Sequence, residues 1–143
     1  MFFLDVNVLV HTFRPRDVPE GPAVRDWVVR HLRGHERLGV AEFVLSAMVR
    51  IVTNGRIFNE PAAPGDAVAF ADSMISAPNV AVLRPQDRHW AIFRDLVNEH
   101  RLRSNDIPDA YLAALALESG ASMVTRDGGF RRFAPLRTID PAN

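Results

Sequence analysis

The first nine residues, Met1-Phe2-Phe3-Leu4-Asp5-Val6-Asn7-Val8-Leu9, constrain this chain more than any other stretch. A run of Phe, Leu and Val with so little polarity reads as a strand buried on both faces, the kind found at the centre of a parallel sheet. Asp5 then stands at the strand's carboxyl end, the edge at which open α/β sheets bind ligands. A second reading is local: Asp5 or Asn7 caps a short helix over Val8 to Thr12. The nine residues alone leave both open.

The rest of the chain supplies the partners such a strand needs. After the turn-rich segment Arg14 to Pro22, the spacing of Ala23, Val24, Trp27, Val28 and Leu32 predicts an amphipathic helix that starts near Pro22 or Ala23 and ends at Gly34. Arg37 to Ala41 is a short candidate strand. Glu42 to Thr53 reads as a helix with Phe43, Leu45, Ala47, Met48, Ile51 and Val52 apolar, stopped by Asn54-Gly55 in a left-handed turn. Beyond the loop from Arg56 to Gly65, Asp66 is placed to cap a helix running to Ser76, with Ala67, Phe70, Ala71 and Met74 inward. Val80 to Leu83 is a third strand, and Asp87 to His100 a helix through Trp90, Ile92, Phe93, Leu96 and Val97. Ile107 to Ser119 is helical and nearly apolar throughout, which implies burial on most sides, and Gly120 stops it. Ser122 to Thr125 is a fourth strand, Phe130 and Phe133 belong to a short helical turn, and Leu136 to Ile139 is a candidate fifth strand. Short strands alternating with helices predict an α/β three-layer sandwich, a parallel sheet of four to five strands covered on both faces.

A length of 143 residues fits a single domain, 1–143, that buries about two thirds of its unfolded surface. With no cysteine, disulfides, thiolate nucleophiles and thiolate-bound zinc are all excluded, so any metal is held by oxygen or imidazole. No apolar run approaches membrane-spanning length and no basic segment precedes the first apolar run, which points to a cytoplasmic protein with no membrane partner. The net charge of zero argues against a surface coated for bulk nucleic-acid binding. All 17 basic residues are arginine, a bias that genome base composition explains as well as phosphate binding does.

Three acidic residues share one place in the predicted topology. Asp5 and Asp127 follow strands, and Asp109 lies in the first turn of the buried helix that begins at Ile107-Pro108. Parallel strands put their carboxyl ends along one edge, and crossover helices start at that edge, so these carboxylates can converge. Glu42, just after the second strand, is expected to join them, and Asp106, within a turn of Asp109, is an auxiliary candidate. Each also has a local role open to it: Asp106 as a helix cap, Asp109 as a first-turn complement to the helix dipole, Asp127 as a cap on the Phe130 turn, Glu42 as a solvated first-turn residue. A cluster of three or four carboxylates needs a cation, and oxygen-only ligands select hard ions such as Mg²⁺ or Mn²⁺.

These features together resemble the PIN-domain ribonucleases, specifically the VapC-type toxins of toxin–antitoxin pairs. The resemblance is carried by Asp5-Val6-Asn7 at the first strand, by Leu45 to Phe58 with Arg50-Ile51-Val52-Thr53-Asn54, by Asn105-Asp106-Ile107-Pro108-Asp109-Ala110-Tyr111-Leu112-Ala113-Ala114, and by Val124-Thr125-Arg126-Asp127 followed by Phe130. It spans essentially the whole chain. It implies Mg²⁺- or Mn²⁺-dependent cleavage of RNA, with the family's ligands carried by Asp5, Asp109 and Asp127 and a looser match at Glu42. It also implies a small cognate antitoxin and a homodimer. Where the family often has a second aspartate, two residues after the last ligand, this chain has Gly129, which weakens any claim for a second strongly held metal. Asn7 and Thr125 are expected to support the ligands and His11 and His89 to be structural; Arg14, Arg16 and Arg126 are the nearest guanidiniums by sequence, with two roles open to each, solvated surface first and phosphate contact second. Two other classes compete: a non-catalytic PIN-like binding scaffold, and a phosphoacceptor receiver domain. The receiver requires a lysine near its last strand, and the chain has none.

Overall fold

A computed structural model describes residues 1–143. Five strands, β1 (Phe2–Leu4), β2 (Leu38–Val40), β3 (Val80–Val82), β4 (Ser122–Val124) and β5 (Thr138–Ile139), form one sheet in the order β3-β2-β1-β4-β5. Every pairing is parallel, with Phe3 in register with Gly39 on one side and Met123 on the other. Six helices complete the chain: α1 (Val6–Phe13), α2 (Gly21–Leu32), α3 (Glu42–Val52), α4 (Pro64–Ser76), α5 (His89–His100) and α6 (Ile107–Ser119). No helix is long and apolar enough to cross a membrane.

The path of the chain explains the three layers. From β1 it steps outward to β2 and then β3, and from β3 it returns across the sheet to β4 beside β1. Right-handed crossovers in opposite directions put their helices on opposite faces. Accordingly α1 packs on α2 and α3, and α3 on α4, while α5 and α6 pack together as a separate pair. The direction reverses between β1 and β4. Their carboxyl ends therefore border the crevice of a topological switch point.

The predicted parallel α/β/α architecture holds, with corrections at element ends. The opening strand is only three residues long, because Asp5 turns the backbone into α1 and caps it, its Oδ1 accepting from the Val6 N–H at 2.7 Å. Asp5 thus both follows the carboxyl end of β1 and caps α1. Asp66 does not cap α4; Ala63 stands at the cap and Pro64 opens the helix, since a proline lacks the N–H that a cap would satisfy. Asn54-Gly55 is not a left-handed stop, and α3 ends at Thr53 with φ −93°. The left-handed helix ends are Arg101 (φ 51°) after α5 and Gly120 (φ 69°) after α6. A continuous apolar core of Phe3, Leu4, Leu9, Leu38, Met48, Leu115, Met123, Phe130 and Phe133 fills the layers. Phe43 and Trp90, expected on apolar helix faces, are instead 52% and 66% exposed.

Candidate metal and catalytic site

At the switch point β1 and β4 run side by side, and the residues just past them, Asp5 and Thr125, hold each other. The Thr125 hydroxyl donates to Asp5 Oδ2 at 2.6 Å, and Asn7 Nδ2, on the first turn of α1, donates to the same oxygen at 2.8 Å. With the Val6 N–H on Oδ1, both oxygens of Asp5 are fixed. Thr125 is in turn held by the Asp127 backbone N–H, which donates to its hydroxyl oxygen at 2.9 Å. Asn7 Oδ1 accepts the Arg126 N–H at 3.1 Å. Asn7 and Thr125 are therefore the clamps that tie the end of β1 to the end of β4.

Asp127 caps the turn Gly128–Arg132 by accepting the Gly129 N–H at 2.8 Å. A Cβ at Gly129 would lie 3.0 Å from Asp127 Oδ1, so the glycine leaves room for this cap. Asp109, in the first turn of α6, faces Arg132, whose Nη2 lies 3.4 Å from its Oδ2. Asp106 is not a side-chain cap; its carboxylate, on the 3₁₀ turn Ser104–Asp106, points at the same Arg132 Nη2, 3.6 Å away.

The electrostatics bind three of these groups into a unit. Burial raises the Asp5 carboxyl, the charge of Asp127 raises it further, and the bonds from Thr125, Val6 and Asn7 pull it back. Burial and the charges of Asp127 and Asp5 push Asp109 up to about 6, against the lowering effect of Arg132. Like-charge repulsion of this kind is what a bound cation relieves. The donor set, carboxylate oxygens with a threonine hydroxyl and an asparagine amide supporting them, suits a hard divalent ion in kind. As the side chains stand, no three acidic or histidine residues are gathered closely enough to hold an ion.

Glu42 stands apart. It begins α3 at the same sheet edge, but its carboxylate accepts Arg84 Nε at 2.9 Å and is 61% exposed. It lines a separate groove with Phe43, Leu83, Arg84, Tyr111 and Leu115. Among the guanidiniums, Arg126 is drawn between Glu20 and Asp140, both at 3.4 Å, and lines a polar groove beside Asp127 with Arg131, Thr138 and Asp140. Arg14 is paired with Asp17 and stacked 4.3 Å from the centre of the Phe58 ring, with no contact to Asp5, Asp109 or Asp127; Arg16 is exposed. His89 is buried against the Tyr111 carbonyl, Nε2 to O 3.0 Å, as a structural histidine. Burial lowers the His11 pKa, with the charge of Arg126 adding to it. Arg132 is the residue that sequence reasoning missed; its only sequence signal is a place on the turn that follows Asp127.

Comparison with known proteins agrees with this fold. The family model described as "PIN domain" matches residues 2–136. The chain is 43% identical over 141 residues to VapC ribonuclease Mb2897 of Mycobacterium bovis, covering 99% of this chain and 95% of the relative. It is 37% identical over 141 residues to Ribonuclease VapC25 of Mycobacterium tuberculosis, covering 99% of each. Among solved structures it is similar to a chain of the Rickettsia felis VapBC2 complex bound to a promoter DNA fragment, with TM-score 0.70, 13% identity and 96% of each chain covered. It is also similar to Mycobacterium tuberculosis VapC20, a sarcin–ricin-loop-cleaving toxin, with TM-score 0.70, 16% identity, and 94% and 95% covered. At those identities the structural likeness speaks for the fold.

Proposed function

The chain belongs to the PIN domain family, and from that premise we propose that it is a VapC-type toxin, a ribonuclease that hydrolyses RNA phosphodiester bonds with Mg²⁺ or Mn²⁺ and is held in check by a small cognate antitoxin. The observation that carries the reading is the coupling of Asp5, Asp109 and Asp127 at the β1/β4 switch point, where the charges of Asp127 and Asp5 raise Asp109 and the charge of Asp127 raises Asp5. Oxygen ligands in that arrangement suit one hard divalent ion, and 43% identity across 141 residues to a relative named as a VapC ribonuclease supplies the reaction class.

Asp5, Asp109 and Asp127 are the residues that would hold the ion. When bound, it would lower the pKa of a coordinated water and neutralise charge on the scissile phosphate. Thr125 and Asn7 fix the orientation of Asp5, so that one ligand is set before substrate arrives. Arg126 and Arg131, in the groove beside Asp127, are positioned to meet backbone phosphates of an RNA strand. The similar VapBC structures are toxin–antitoxin complexes, which supports an antitoxin partner for this chain. We propose a homodimer on the same family grounds.

The test is cleavage of single-stranded and structured RNAs by purified protein, with and without Mg²⁺ or Mn²⁺, alongside Asp5→Asn. Metal-dependent cleavage lost in Asp5→Asn supports the reading. Binding of RNA with no cleavage under any metal would instead favour a PIN-like scaffold. Co-expression of the small gene beside this one should suppress growth inhibition.

A further inference from the structure

The three coupled carboxylates are not held alike. Asp5 accepts three hydrogen bonds and Asp127 one from a backbone N–H, whereas the only group bonded to the Asp109 carboxylate is the Arg132 guanidinium. That contact is loose. At 3.4 Å to Asp109 and 3.6 Å to Asp106, both distances exceed the roughly 2.7–2.9 Å of a strong charge-assisted bond. Arg132 Nε is buried and has no acceptor at all. What keeps the guanidinium there is packing, with its carbon 4.8 Å from the centre of the Phe133 ring. Phe133 itself is fully buried, so the platform is rigid.

We propose that Arg132 is the internal counter-cation of this site: it neutralises Asp109 in the metal-free protein and competes with the divalent ion for that carboxylate. The inference rests on the metal-dependent reading above. A guanidinium with an unused donor, held beside a carboxylate by an aromatic ring rather than by a bidentate pair, supplies charge without locking the ligand. It is displaced when an ion of higher charge takes Asp109, and until then it opposes that ion as a like charge. Arg132 is thus a positioning residue that sets metal affinity. A merely structural prop for Asp109 would act with the opposite sign, because its removal would weaken metal binding.

The experiment is calorimetric titration of Mn²⁺ into wild type, Arg132→Met and Arg132→Gln, with side-chain ¹⁵N–¹H spectra of wild type during Mg²⁺ titration. Both variants should bind Mn²⁺ about fivefold more tightly than wild type, the size expected from removing one half-exposed ion-pair partner. The Arg132 Nε–H signal of wild type should shift and saturate together with metal binding. Unchanged or weaker Mn²⁺ affinity in the variants, with wild type binding normally, would overturn the inference and leave the metal site intact. An Arg132 signal that stays put while Mg²⁺ binds would do the same without any variant, so the inference stays testable if a substitution prevents folding. No Mn²⁺ binding by wild type or by either variant would overturn the metal-dependent reading and this inference with it.

Discussion

The Thr125 hydroxyl donates to Asp5 Oδ2 at 2.6 Å, joining residues 120 apart in sequence at the ends of adjacent strands. Because the Asp127 N–H donates to the same hydroxyl oxygen, Thr125 transmits position from one aspartate to the other. Thr125→Val keeps the shape and removes these two bonds together with the one that Asn7 Nδ2 donates to the hydroxyl at 3.2 Å. It leaves a buried carboxylate short of a donor and an N–H without an acceptor, so unfolding free energy should fall by about 1–3 kcal/mol. Metal affinity or cleavage should fall about 10–100-fold, the usual effect of losing a partner that orients a ligand. Urea denaturation and metal titration of the same variant check both.

Asp5→Asn separates charge from shape. The residue is 4% exposed and burial disfavours its anion, so an amide there should leave the metal-free protein within about 1 kcal/mol of wild-type stability at neutral pH. Cleavage and growth inhibition should be abolished, because an amide lacks the anionic ligand. Near-wild-type cleavage by a folded Asp5→Asn protein, with metal present, would remove Asp5 from the site.

How far the sequence reached depends on which scale carried the information. Strand and helix alternation was visible because each element is short and bounded by turn residues, and Asp5, Asp109 and Asp127 were visible because parallel topology alone brings strand ends and helix starts to one edge. Facing was harder. In α3, apolar residues occupy Phe43, Val44, Leu45, Met48 and Val52, so periodicity could not tell that Phe43 points outward while the others are buried. The Asp66 cap failed because Pro64 starts α4 earlier and supplies the N-terminal φ itself. Arg132 escaped because its partner lies 23 residues away and Arg131 beside it has the same chemistry; only the packing on Phe133 selects one guanidinium over the other.

Glu42→Gln tests the loosest of the sequence assignments. Its carboxylate is engaged by Arg84 near the surface, and an exposed pair of this kind contributes at most about 1 kcal/mol. Cleavage should stay within a few-fold of wild type, with any deficit recovered by added Mn²⁺. Complete loss at every metal concentration would make Glu42 a ligand that leaves Arg84 on binding. Cleavage rates across a Mn²⁺ series decide between them.

The last prediction concerns pH and metal together. Asp109 lies at about 6 in the folded protein against an ordinary 3.8, and Asp5 is raised as well. The native state therefore holds protons that the unfolded chain has released. Stability from these carboxyls is fully present below the unfolded value and is lost, in the metal-free protein, as pH rises through about 6. For the half-exposed Asp109, solvent screening limits the loss to about 1 kcal/mol. Metal opposes it: at ten times its dissociation constant, an ion binding only the native state adds about 1.4 kcal/mol. For a chain of this size that raises the melting temperature by about 3–6 °C. The rise should be larger at pH 7.5 than at pH 5, where protons occupy the ligands. Metal-free Asp109→Asn should melt at or above wild type at pH 7.5 and lose most of the Mg²⁺ response. A wild-type melting temperature indifferent to millimolar Mg²⁺ and Mn²⁺ at both pH values, together with a destabilised Asp109→Asn, would make Asp109 an ion-pair partner of Arg132 and nothing more.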